Sequence, residues 1–166
     1  ENRPRFAVEV CNAIRENVGD DMSLVWKMNC ADFLEDGQGV EEYARIAEKL
    51  VAAGVDIIEL SGGLKDQIKL RSKLKKEAGA GEAYFRDAIR PFRHAVSESA
   101  LAITGGIRSL KVMEELLEDG LDLLGMCRPL ICEPDLPNRL LNSPDKRTAK
   151  CTSCNRCLLR IAQRPL

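Results

Sequence analysis

The chain has 166 residues, of which 45% are apolar and 31% are charged, and its net charge is −1. This length suffices for one domain with a buried core, and the composition is that of an ordinary globular protein. The balanced charge gives no indication of a nucleic-acid or membrane partner. The sequence contains no apolar run of about 18 residues, the length that a membrane-spanning helix needs.

Segments with helical and strand-like apolar patterns alternate along the chain. A helix at 6–18 ends before Gly19 and precedes a strand at 24–28; a helix at 40–51 ends before Gly54 and precedes a strand at 55–60. A basic segment at 64–81 follows, interpreted mainly as a solvated helix face rather than a lid over a site. Next come a helix at 84–96, which Pro91 is expected to kink, and a strand at 101–104. A helix at 110–117, a strand at 121–126 and a short helix at 136–141 complete the order.

The four strands are apolar without alternation, which is typical of a parallel sheet buried on both faces. Strands that alternate with helices predict βα units. Four such units make half of a (β/α)8 barrel or a small open α/β sheet, and periodicity does not distinguish these two folds.

Ligands of parallel α/β folds bind at the carboxyl ends of the strands. Gly105 and Gly106 follow the third strand, and Ser109 can cap the next helix so that its amides face an anion. Arg128 follows the fourth strand and offers a guanidinium to a phosphate. A glycine pair alone more often marks a tight turn, but Arg128 at the neighbouring strand end favours a phosphate site.

Lys27 lies within an apolar strand, where an unpaired charge is costly, so it needs an anionic partner. A structural ion pair with Glu59 on the next strand is as well supported as a contact with a ligand. The only histidine, His94, falls late in a helix and away from the strand ends. The sequence therefore offers no histidine placed for acid–base catalysis and no Ser-His-Asp or Cys-His pair.

Seven cysteines are present. Four occur in apolar stretches and are predicted to be buried thiols: Cys11, Cys30, Cys127 and Cys132. This usage suits a reducing compartment, and we expect a cytoplasmic protein. Cys151, Cys154 and Cys157 are spaced to place three thiolates on one metal ion or Fe–S cluster, but no cysteine follows as a fourth ligand. A metal site and a structural remnant are equally supported.

These features, taken in order, resemble the NADH:flavin oxidoreductase / old yellow enzyme family, in particular its branch near NADH oxidases and dienoyl-CoA reductases. The matching stretches are ENRPRF, VWKMNCADFLEDG, AGVDIIELSGG, ITGGIRS, LDLLGMCRPLICEPDLPNR and CTSCNRC. The resemblance implies that residues 1–145 form the C-terminal half of a TIM-type barrel, barrel strands 5–8, and that residues 146–166 form a Cys-rich tail. It also implies FMN as cofactor, NAD(P)H as hydride donor, and an activated alkene such as an enone as acceptor.

The same resemblance implies roles for individual residues. Lys27 holds the place of a basic residue that contacts the pyrimidine edge of the flavin. The backbone of Gly105 and Gly106, together with that around Cys127 and Arg128, holds the FMN phosphate. Many relatives have glycine where this chain has Cys127, which would restrict close approach of the backbone there.

Family members also use barrel strands 1–4, which carry the substrate-anchoring histidines and a proton-donating tyrosine. None of these positions occurs in this chain, which also lacks an initiator Met, so we expect a fragment that is inactive by itself. A half-barrel exposes sheet edges and an apolar face, so we expect it to pair with a second copy or with a complementary half-barrel. The alternatives are a phosphate-ligand-binding α/β module and a metal-binding or Fe–S-binding module organised by the tail.

Overall fold

Four parallel strands form one sheet in a computed structural model that describes residues 2–63, 81–142 and 148–163. The strands follow one another across the sheet in chain order, and their bounds are β1 (Val25–Asn29), β2 (Ile57–Ser61), β3 (Ala100–Thr104) and β4 (Leu123–Gly125). All four predicted strands are confirmed, with ends that shift by at most two residues. The predicted parallel α/β arrangement is therefore confirmed as well.

Four helices alternate with these strands, α1 (Arg5–Val18), α2 (Val40–Ala52), α3 (Ile89–Ala95) and α4 (Leu110–Glu118). Three more follow β4 in succession, α5 (Arg128–Cys132), α6 (Leu136–Asn142) and α7 (Arg156–Gln163). Helices α1, α2, α4 and α6 correspond to predicted elements, whereas α5 and α7 were not predicted. None of the helices among the described residues has the length and apolar character needed to cross a membrane.

The predicted helix at 84–96 is shorter in the structure. Tyr84 and Phe85 form a turn, a 3-10 turn follows at Arg86–Ala88, and α3 begins only at Ile89. Pro91 consequently lies in the first turn of α3, where its missing N–H has no partner to lose. The expected kink is therefore wrong, because the helix begins next to the proline rather than running through it.

The core lies between one face of the sheet and the helices. Leu60, Leu101 and Ile103 of the strands are fully buried there with Leu50 of α2 and Phe92 of α3. The opposite face carries the alternate residues of each strand. Val25 of β1 and Leu123 of β4 are 51% and 47% exposed on that face, so the sheet is covered on one side only among the described residues.

A repeated charged network ties the amino ends of the strands to the helices. Asp56, just before β2, accepts a hydrogen bond from the Leu24 N–H (2.7 Å) and pairs with Arg15 of α1 (2.7 Å). Asp122, just before β4, accepts from the Leu101 N–H (2.8 Å) and pairs with Arg93 of α3. In the two networks each arginine also donates to the carbonyl of a glycine two residues before its aspartate. Because each backbone N–H and then each arginine favours the charged carboxylate, the pKa values of both aspartates lie below the ordinary value.

Two of the four thiols predicted to be buried are indeed buried, Cys11 and Cys30. Burial raises the pKa of Cys30 to about 11. Cys127 and Cys132 are exposed, so that part of the prediction is wrong. The reason is that β4 ends at Gly125, which leaves Cys127 in the following loop, while Cys132 lies at the exposed end of α5.

Candidate functional site

The glycine pair and Arg128 lie at the same edge of the sheet. Gly105 and Gly106 directly follow β3, and Arg128 begins α5, three residues after β4. Thr104 at the end of β3 is in register with Gly125 at the end of β4, and the strands are parallel. Both loops therefore leave the sheet side by side, as the sequence predicted.

Tyr84 joins these two loops. Its N–H donates to the Gly105 carbonyl (3.1 Å), and its hydroxyl accepts a hydrogen bond from Arg128 Nη2 (3.3 Å). Its ring lies so close to Gly106 that a Cβ added there would be 2.3 Å from it. The glycine turn and the guanidinium thus share one neighbouring side chain. The sequence pattern did not reveal this role, because Tyr84 fitted the apolar stripe of a helix.

The backbone conformation and the local packing also explain why glycine occupies these two positions, without any ligand. Gly106 has φ 73°, a left-handed conformation that favours glycine. A Cβ on Gly105 would lie 2.8 Å from the Phe85 ring. Packing against Tyr84 and Phe85 therefore accounts for both glycines, and the glycine pair by itself does not identify a phosphate site.

The N-terminus of α4 already faces an anion of this chain. The Ser109 hydroxyl accepts from the Val112 N–H (3.4 Å), so Ser109 caps the helix as predicted. The Glu82 carboxylate, however, accepts hydrogen bonds from the Arg108 N–H (2.5 Å) and the Ser109 N–H (2.8 Å). The Glu82 and Arg108 side chains are only 10% and 8% exposed. An external phosphate at this edge would therefore lie by the glycine turn and Arg128 rather than at these helix amides.

Lys27 takes part in a charged network on the uncovered face of the sheet. Lys27 is in register with Glu59, and its ammonium bonds to the Glu59 carboxylate. Thr104 donates its hydroxyl to the same carboxylate (2.5 Å). Burial alone raises the pKa of Glu59, but the bonds from Lys27 and Thr104 outweigh it, so the pKa lies below its ordinary value. The predicted ion pair is present, and the network runs from β1 to the residue that precedes Gly105.

The Cys-rich tail returns to the same edge of the sheet. Asn155 Oδ1 accepts a hydrogen bond from Arg128 Nη1 (2.6 Å). Cys154 is exposed, and the N–H of Arg156, followed by the Thr152 hydroxyl, lowers its pKa. Within residues 2–63, 81–142 and 148–163, no three Cys, His, Asp or Glu side chains gather as ligands of one metal ion. The metal site at Cys151, Cys154 and Cys157 stays a prediction.

Two further predictions concern other parts of the chain. His94 is exposed on α3, as expected for a surface residue. The basic segment after β2 lies outside the described residues except for Gly81.

Sequence comparison relates the chain to flavin-dependent oxidoreductases. Residues 1–146 match the profile of the NADH:flavin oxidoreductase / NADH oxidase family. An NADH oxidase of Thermoanaerobacter brockii is 27% identical over 156 residues, which cover 93% of this chain and 23% of that protein. An NADH-dependent flavin oxidoreductase of Neonectria sp. (strain DH2) is 32% identical over 151 residues, which cover 86% of this chain and 20% of that protein.

Superposition on solved structures relates the fold of the chain to the folds of two enzymes. A 2-naphthoyl-CoA reductase superposes with a TM-score of 0.82 at 28% identity, covering 94% of this chain and 23% of that one. A histamine dehydrogenase from Rhizobium sp. 4-9 superposes with a TM-score of 0.72 at 26% identity, covering 85% and 20%. Both are TIM-barrel flavoenzymes. The chain thus spans less than a quarter of the length of each of these four proteins.

Proposed function

This chain belongs to the NADH:flavin oxidoreductase / NADH oxidase family, and on that premise we propose that it provides the phosphate side of the FMN site in an NAD(P)H-dependent oxidoreductase. A bound flavin would supply the redox chemistry, which is hydride transfer from NAD(P)H to an activated alkene such as an enone. The observation that carries the proposal is the position of Tyr84, which contacts both Gly106 and Arg128 and so brings the two candidate phosphate-binding loops together.

The chemistry of this edge fits a phosphate group. Phosphate is bound by guanidinium groups and by backbone N–H groups of turns with left-handed residues, and this edge offers both. We assign the phosphate contacts to the backbone of Gly105, Gly106 and Cys127 and to the guanidinium of Arg128. The Glu82 carboxylate already accepts hydrogen bonds from the backbone amides before α4. Arg128 is therefore the cation that would bind the charged phosphate.

Lys27 is assigned to the isoalloxazine end of the cofactor. Its side chain is 52% exposed on the uncovered face of the sheet. An ammonium has three N–H donors, and Glu59 accepts one of them while holding the group in place. A positive charge here would attract negative charge that develops on the pyrimidine edge of the flavin. Lys27 thus orients and stabilises, and no proton-donating role is assigned to it.

The remainder of the active site is assigned to residues outside this chain's four strands. We propose that a complementary half-barrel covers the face that exposes Val25 and Leu123, and that it provides the substrate-anchoring and proton-donating groups. On this proposal the 166-residue chain alone does not reduce enones.

A flavin titration tests the proposal. We expect the protein to bind FMN in preference to riboflavin, and we expect bound FMN to be reduced by NADH or NADPH under anaerobic conditions once the complementary half is present. Binding of simple phosphate esters without flavin would contradict the flavin assignment and favour the phosphate-binding module. Metal analysis after anaerobic purification tests the separate prediction for Cys151, Cys154 and Cys157.

A further inference from the structure

Residues 148–155 form a segment, called the strap, that crosses the carboxyl edge of the sheet where the candidate phosphate site lies. The Ala149 N–H donates to the Arg108 carbonyl (2.9 Å), and Thr148 forms an isolated antiparallel bridge with Ser109. The beginning of the strap is therefore attached to the loop that follows β3 and contains the glycine pair.

The strap is also attached to the segment after β4. The Lys150 N–H donates to the Glu133 carboxylate (2.5 Å), and Arg139 of α6 donates to the Thr148 carbonyl (3.0 Å). Glu133 and Arg139 pair with each other at 2.8 Å, with side chains only 9% and 15% exposed. Because this charged pair is largely buried, it anchors the beginning of the strap.

The far end of the strap reaches Arg128. Asn155 accepts a hydrogen bond from Arg128 Nη1 at 2.6 Å, while Tyr84 accepts one from Nη2 at 3.3 Å. A guanidinium is planar with five N–H donors, so two acceptors on different nitrogens set the orientation of its plane. We propose that Asn155 is a positioning residue, which holds the Arg128 guanidinium in the orientation that binds the FMN phosphate.

This inference rests on the proposed function and adds a role for the tail within the same site. A positioned arginine loses less side-chain entropy when a phosphate binds, so its affinity is higher than that of a mobile one. The strap achieves this positioning by joining both phosphate-side loops. The cysteine spacing predicts a metal site in the tail, whereas the asparagine between Cys154 and Cys157 is assigned to the cofactor site.

The backbone of Asn155 allows a clean variant. Its φ is 60°, a left-handed conformation that glycine adopts without cost. Asn155→Gly therefore removes the amide side chain while keeping the backbone path of the strap. Ser153→Gly is the comparison variant, because Ser153 is another left-handed residue of the strap (φ 53°) and its buried side chain is a hydroxyl rather than an amide.

The test measures the dissociation constants of FMN, riboflavin and inorganic phosphate for the full chain and its variants. We expect Asn155→Gly to weaken the binding of FMN and of phosphate by about fivefold to tenfold and to leave the binding of riboflavin unchanged. Its melting temperature should stay close to that of Ser153→Gly. In an Arg128→Ala background, Asn155→Gly should have no further effect, because Asn155 acts through the guanidinium.

Two results would overturn the inference: an unchanged FMN affinity in Asn155→Gly, or an equal loss with and without Arg128. A wild-type protein that binds phosphate but not FMN would contradict the proposed function, and the phosphate titration would still decide the role of Asn155. A wild-type protein that binds none of the three ligands would overturn both.

Discussion

Replacement of Gly106 by alanine tests the packing on which the candidate site depends. Gly106 has φ 73°, and a left-handed alanine costs about 1–2 kcal/mol. The added methyl would also lie 2.3 Å from the Tyr84 ring, and overpacking of this kind costs about 1–3 kcal/mol. Together these give a loss of about 2–5 kcal/mol in the free energy of unfolding.

A double-mutant cycle with Tyr84 separates the two terms. In a Tyr84→Ala background the ring is absent, so Gly106→Ala should lose only the backbone term of about 1–2 kcal/mol. Denaturant unfolding of the two single variants and the double variant measures the difference. An equal loss for Gly106→Ala with and without the Tyr84 ring would refute the placement of that ring.

Three further predictions concern charge and thiol chemistry. Asp122 has a pKa below its ordinary value, so its contribution is complete above the unfolded pKa of about 3.9 and is lost as pH falls through the folded value. Asp122→Asn should cost about 1 kcal/mol at neutral pH and less in acid, measured by unfolding against pH, whereas a loss as large in acid would contradict the linkage. Lys27→Met should lower the midpoint potential of bound flavin by about 20 mV, equivalent to about 1 kcal/mol. An unchanged potential would contradict the assignment of Lys27 to the cofactor site. Thiol labelling of the native protein should modify Cys127 quickly and Cys30 only after unfolding, because burial raises the pKa of Cys30 to about 11; rapid native labelling of Cys30 would contradict its burial.

The elements that could be predicted are those encoded by local pattern. The apolar runs of the four strands and the glycines that end the helices are sufficient to indicate parallel βα units. Parallel strands place their carboxyl ends at one edge, so the pattern also brings Gly105, Gly106 and Arg128 together. The ion pair between Lys27 and Glu59 followed from the cost of an unpaired charge in a strand.

The parts that could not be predicted depend on contacts between distant residues. Tyr84 and Phe85 are spaced like members of a helix, but their rings pack on the glycine turn, and this tertiary contact decides their place. Asn155 lies 27 residues from Arg128, and nothing local to either residue indicates their hydrogen bond. Glu82 is a similar case, since its carboxylate is distant in sequence but accepts hydrogen bonds from the amides before α4, which the sequence analysis had assigned to an external anion.

The proposed site holds one phosphate between the glycine turn and Arg128. The ratio of FMN to riboflavin affinity measures that interaction directly, because the two flavins differ only by the phosphate. Arg128→Ala should reduce this ratio by about tenfold to a hundredfold, since charge-assisted hydrogen bonds contribute about 1.5–3 kcal/mol. Arg90→Ala, which removes an exposed arginine from α3, should leave the ratio unchanged. If Arg128→Ala left the ratio as it is in the wild-type protein, or if both arginine variants reduced it equally, the assigned phosphate site would be wrong.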